Sequence, residues 1–101
     1  MTVKYLPSGD VQMVLMGPWG RLDLARVTGF AASPHDASFR TEPSADVYPA
    51  VRQIVGKQGT FYVYSTADDG STRTHQIDGA TVTGAHITGL VEFTYSKTRR
   101  I

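Results

Sequence analysis

The sequence predicts a mainly β domain: an antiparallel β-sandwich or barrel of six to seven short strands with one flanking α-helix. Three observations carry that prediction. Runs of β-branched and aromatic residues with period-2 alternation recur along the chain. Turn signals containing Gly separate them, and only one segment shows helical spacing. With 101 residues, 41% hydrophobic and 19% charged, the chain has the length and composition of a single domain with a modest core. Residues 1–9 are expected to form a mobile arm of that domain.

Residues 10–16 read as a first strand, with Val11, Met13 and Leu15 on one face and Val14 and Met16 on the other, so both faces are candidates for burial. Gly17-Pro18-Trp19-Gly20 is a turn, because Pro presets φ and the glycines accept unusual geometry. Residues 21–28 return as a second strand, Leu22 and Leu24 opposing Asp23 and Ala25. Residues 29–37, with Pro34 and Asp36, read as a loop, and residues 37–41 as a short third strand carrying Phe39. The helix is expected over residues 44–55. Ser44 is its N-cap, Asp46 suits the positive end of the dipole, and Val47, Val51, Ile54 and Val55 recur at helical spacing. Gly56 is its C′ residue, while Pro49 sets the start of regular helix near itself.

The central hairpin is the strongest local signal. Residues 60–66 alternate Phe61, Val63 and Ser65 against Tyr62, Tyr64 and Thr66, then turn at Ala67-Asp68-Asp69-Gly70 and return through residues 71–77. Its return strand is mostly polar, so one side is expected to face water or another protein. A lone hairpin is marginally stable, so further strands must complete it. Asp78-Gly79 reads as a tight turn before a strand begun at residues 81–83, and Gly84 and Gly89 bracket an irregular segment. Residues 90–97 form a final strand with Val91, Phe93 and Tyr95 on one face, ending in a basic tail of Lys97, Arg99 and Arg100.

Composition excludes more than it assigns. Ten Lys and Arg against nine Asp and Glu give a net charge of +1, which offers no electrostatic case for nucleic acid or an anionic membrane. The absence of Cys removes disulfides, thiolate nucleophiles and thiolate metal sites. No apolar run reaches the roughly 20 residues of a membrane span, and no secretion signal is visible, so the reading is a soluble protein made inside the cell. His35, His75 and His86 lack metal-ligand spacing, and Asp68 and Asp69 fit turn chemistry better than paired acid-base work. No phosphate loop, dinucleotide fingerprint or nucleophile elbow occurs. Trp19, Tyr62 and Tyr64 are a candidate stacking platform, although aromatics on strands more often serve core or interface. The expectation is no enzyme, no cofactor and no metal.

The order of short motifs from Leu22 onward resembles the small tail-tube proteins of long-tailed bacteriophages. Val27-Thr28-Gly29-Phe30 matches a step after an early strand, and Ala37-Ser38-Phe39-Arg40 followed by Ser44-Ala45-Asp46 is similar to the lead into the family's helix. Residues 47–56, residues 60–66, Asp69-Gly70-Ser71 and residues 75–82 resemble its helix, strand, turn and strand. Residues 91–100 resemble its closing strand, and the segment after Phe30 is too short for the long hairpin the family carries there. The resemblance implies a non-catalytic virion subunit, made in the bacterial host cytoplasm, that forms a homo-oligomeric ring. The ring is normally a hexamer that stacks into a tube, with DNA as non-specific passing cargo and no membrane or small-molecule partner. Candidate interface or lumen residues are then Thr72, Arg73, Thr74, His75, Gln76, Trp19, Tyr62 and Tyr64. Because a DNA conduit disfavours cationic walls, Arg73 and His75 are not both expected to line it unpaired. The alternatives are a small monomeric or dimeric β-sandwich binding module, or an enzyme or ligand-binding barrel, which needs a pocket with converging polar groups.

Overall fold

A computed structural model describes residues 9–42, 47–66 and 69–101. The expected Ser44 cap, Asp46, the Ala67-Asp68 half of the hairpin turn and all but the last residue of the expected arm lie outside the described residues. Among the described residues, seven strands and one helix run in the order β1 (Gly9–Gly17), β2 (Gly20–Ala32), β3 (Asp36–Thr41), α1 (Val47–Gln53), β4 (Gln58–Thr66), β5 (Thr72–Ala85), β6 (Leu90–Thr94) and β7 (Lys97–Arg100). β1, β2 and β3 form one antiparallel meander, and β4, β5 and β6 form another. Two long-range antiparallel pairings, β1 with β4 and β3 with β6, join the meanders at both sides. The circuit β1-β2-β3-β6-β5-β4 therefore returns to its start as a closed barrel.

The further strands that the central hairpin needs come from the same chain. Each strand of the circuit finds two neighbours within one chain, which removes most of the unpaired edge that would drive association. The structural reason is β5, whose 14 residues pair with β4 at one edge and with β7 and then β6 at the other.

That strand also corrects the expected turn at Asp78-Gly79. Gly79 has φ 64° and sits opposite the interruption at Tyr95 and Ser96, where Ser96 N donates to Asp78 O at 3.0 Å. The glycine bends a continuous strand instead of reversing it. The same physics corrects the loop predicted over residues 29–37. Gly29 has φ 62° and lies within a register shift between Thr28 and Ala31, after which β2 resumes to Ala32. Only residues 33–35 connect it to β3. Residues 90–97 likewise form two strands, because the break at Tyr95 and Ser96 passes the chain from β3 and β5 onto β5 alone. The predicted basic tail is thus strand β7.

α1 ends at Gln53, two residues before the expected end, and Pro49 is third in its described run. Gly56, with φ 85°, ends the segment and donates to Val82 O at 2.8 Å, tying the helix to β5. Val51 and Ile54 join the barrel core. The crevice between this helix and the turn after β5 measures about 10 Å³, room for about one water.

The core is aromatic at its centre. Phe93 lies 5.1 Å from Phe61, 6.0 Å from Phe39, 6.2 Å from Tyr95 and 6.4 Å from Phe30, ring centre to ring centre. Val11, Met13, Leu15, Leu24, Val27, Val63, Ile77 and Val82 pack around it. Tyr95 closes one end: its hydroxyl donates to Ser33 O and its amide to His35 O at 3.0 Å. Burial, with a smaller contribution from Asp36, holds the phenol above its ordinary pKa of 10.0. A raised phenol pKa means that the folded state binds the proton more tightly. Its stabilisation is complete below pH 10 and is lost as pH rises through the raised value. Tyr95→Phe is expected to cost about 0.5–1.5 kcal/mol at pH 7 and to flatten the stability decline above pH 10, read from urea midpoints between neutral and strongly alkaline buffer.

Candidate functional site

Strand pairing sets one continuous outward face over β2, β1, β4, β5 and β7. Directly opposed residues share a face, so one row across the barrel reads Asp23, Val14, Tyr62, Gln76, Arg99. The next rows read Gln12, Tyr64, Thr74 and Arg21, Met16, Thr60. The face is polar at its margins and apolar in the middle. Val14 is only 8% exposed though it points away from the core, Met16 is 37% exposed, and both tyrosines are half-buried. Two adjoining depressions of about 280 and 450 Å³ share Gln12 and Tyr64.

Charges bracket this strip. Arg21 Nε donates to Asp23 Oδ1 at 2.7 Å, and that hydrogen bond with its ion pairing holds the guanidinium above its ordinary pKa. On the other side Gln76 Nε2 donates to Asp78 Oδ1 at 2.8 Å, and Arg99 Nε stands 3.9 Å from Asp78 Oδ2. At the hairpin tip the Ser71 amide and hydroxyl both donate to Asp69 Oδ1, at 2.9 and 2.6 Å, and hold that carboxyl below its ordinary range.

Five of the predicted site residues meet here: Tyr62, Tyr64, Thr72, Thr74 and Gln76 share the outward side of the hairpin. Three do not. His75 is 4% exposed on the inward side, so it lines no surface of the folded chain. Arg73 shares that inward side near the hairpin tip, where the strand runs past the core and leaves it exposed. Trp19 folds back instead of projecting. Its Nε1 donates to Leu15 O at 2.9 Å, its ring meets Phe61 edge-on at 6.4 Å, and it packs against the core. Gly17 and Gly59 give the indole its room, since a Cβ at either would lie 2.5 or 2.6 Å from its ring.

Gln12, Val14, Met16, Arg21, Asp23 and Arg99 belong to the face and were not predicted as part of it. The signal for Val14 and Met16 was their alternation against Met13 and Leu15. Nothing local links them to Tyr62. Among the described residues no group of three or more His, Cys, Asp or Glu is placed to hold a metal ion. Their nearest approach to acid-base geometry is the exposed pair His86 Nε2 to Glu92 Oε1 at 3.1 Å. No helix of the described residues is long and apolar enough to cross a membrane.

The fold and this face together define a closed antiparallel β-barrel with a helix on its flank and one outward aromatic strip. Comparison with protein-family models, with curated proteins and with solved structures finds no match for the chain.

Proposed function

We propose that the protein is a non-catalytic structural subunit that packs against copies of itself in a ring, of the kind that stacks into a phage tail tube or a related injection conduit. The observation that carries this reading is the strip of Val14, Met16, Tyr62 and Tyr64 in the middle of an otherwise polar outward face. A sheet face that buries apolar and aromatic residues against a neighbour, with a charged rim, has the composition of a protein contact. Because the barrel is closed, contact between copies runs through this face and not through sheet edges. DNA enters only as non-specific cargo, and no cofactor is required.

Light scattering and negative-stain microscopy at milligram concentrations test the reading. The expected result is rings or short stacks, with Tyr64→Arg reducing them to monomers while the thermal midpoint moves little, since Tyr64 lies outside the core. A strictly monomeric wild-type protein would reject it. One observation favours a second reading, a monomeric binding module: closure leaves a single copy with its core complete.

A further inference from the structure

Along β7 an edge of the sheet is left over after the barrel closes. β7 pairs with β5 alone, through His75 with Arg100, Gln76 with Arg99, Ile77 with Thr98 and Asp78 with Lys97. No described strand lies on its other side. The ladder's phase identifies which backbone groups point outward. The Ile101 amide donates to Thr74 O at 2.9 Å, so 74 and 101 are a hydrogen-bonded pair. Alternation then makes 76 with 99 and 78 with 97 hydrogen-bonded as well. The N–H and C=O of Thr98 and Arg100 are therefore directed away from β5, free to accept another strand.

The side chains choose the partner. Lys97, Arg99 and Arg100 are exposed, and among the described residues the carboxylate paired with them is Asp78, at 3.9 Å from Arg99. Cations on an edge ordinarily discourage pairing with another copy, and here they would. A second β7 would set like charges opposite one another. Residues 20–26 of β2, another stretch without a described strand on its outer side, carry Arg21 and Arg26, whose guanidinium groups are already paired with Asp23 and Glu42, so no carboxylate there is spare for β7. We infer that the outer edge of β7 is a docking strand for an extended acidic segment of a different protein, added to the sheet by backbone pairing at Thr98 and Arg100 and held by carboxylates against Lys97, Arg99 and Arg100. Main-chain bonds supply affinity in this mode and alternate side chains supply selectivity. This docking is independent of the aromatic face.

The experiment uses the full chain carrying Tyr64→Arg, so that assembly does not contribute to the signal. A fluorescein-labelled ten-residue peptide of alternating Glu and Thr is titrated by anisotropy, beside a Lys–Thr peptide and a twelve-nucleotide oligo-dT. The expected result is saturable binding of the Glu–Thr peptide, weakened by salt, with no binding of the Lys–Thr peptide. Thr98→Pro removes an outward N–H without touching the β5 ladder and is expected to weaken binding by about tenfold. Lys97→Glu with Arg100→Glu is expected to abolish it. Amide exchange at residues 98 and 100 is expected to slow in the complex. Binding that survives Thr98→Pro unchanged, absence of saturable binding, or tighter binding of oligo-dT than of the peptide overturns the inference; the last result would make β7 a phosphate-binding surface.

Discussion

Phe93→Ala is expected to destabilise the protein by about 3–5 kcal/mol, measured by urea unfolding with the slope of the transition unchanged. The ring touches four other aromatic rings contributed by β2, β3, β4 and the break after β6. It is 1% exposed, and so are or nearly so the residues around it. Strands that close a barrel cannot easily move inward to refill the space, because each is held on both sides by ladder bonds. The cavity thus persists, and its cost adds to the lost transfer free energy. For a domain whose whole stability is of order 5–15 kcal/mol, this one truncation removes a large part. A loss below about 1 kcal/mol would mean that the aromatic centre is loosely packed and that the barrel relaxes around it.

Gly89→Ala is the second large effect, and Gly20→Ala is its matched control. The two glycines have nearly the same backbone, φ 100° and 97°, which an L side chain rarely adopts. A Cβ at Gly20 meets nothing within 4 Å, so the substitution costs only backbone strain, about 1–3 kcal/mol. At Gly89 the same Cβ would lie 2.2 Å from Thr41 O, a backbone atom that cannot rotate away. The Thr41 amide also donates to Gly89 O at 2.9 Å, so relieving the clash breaks the bond that seats the end of β3 on the turn before β6. The alanine at 89 is expected to cost about 2 kcal/mol more than the alanine at 20. Thermal midpoints of the two variants compared with wild type read the difference directly. Equal losses would show that steric contact at Thr41 contributes nothing.

Both effects bear on the proposed assembly. The outward face is assembled from β2, β1, β4, β5 and β7, and its geometry depends on closure behind it. Phe93 and the Thr41–Gly89 contact hold the β3–β6 seam that completes the circuit. A variant that opens that seam is expected to lose the aromatic strip as an ordered surface, whereas Tyr64→Arg changes the surface and leaves the seam intact.

The sequence by itself determined the local facts. Alternation in residues 60–66 separated Phe61 and Val63 from Tyr62 and Tyr64, which the fold then buries and turns outward respectively, and the same rule sorted Val91, Phe93 and Tyr95 from Glu92 and Thr94. Such assignments depend only on each strand's own pleat, which every strand carries wherever it pairs. The turn at Gly17-Pro18-Trp19-Gly20 was legible for a similar reason. Only the tertiary structure decided that Gly29 and Gly79 bend strands instead of ending them, because a positive φ serves a bulge as readily as a turn and the choice falls to the opposing strand. It also decided that Trp19 and His75 face the core, and that Val14 sits beside Tyr62 across 48 residues of chain. Closure itself comes from β1 meeting β4 and β3 meeting β6, pairings between distant segments that no local pattern specifies, since any strand edge offers the same backbone groups.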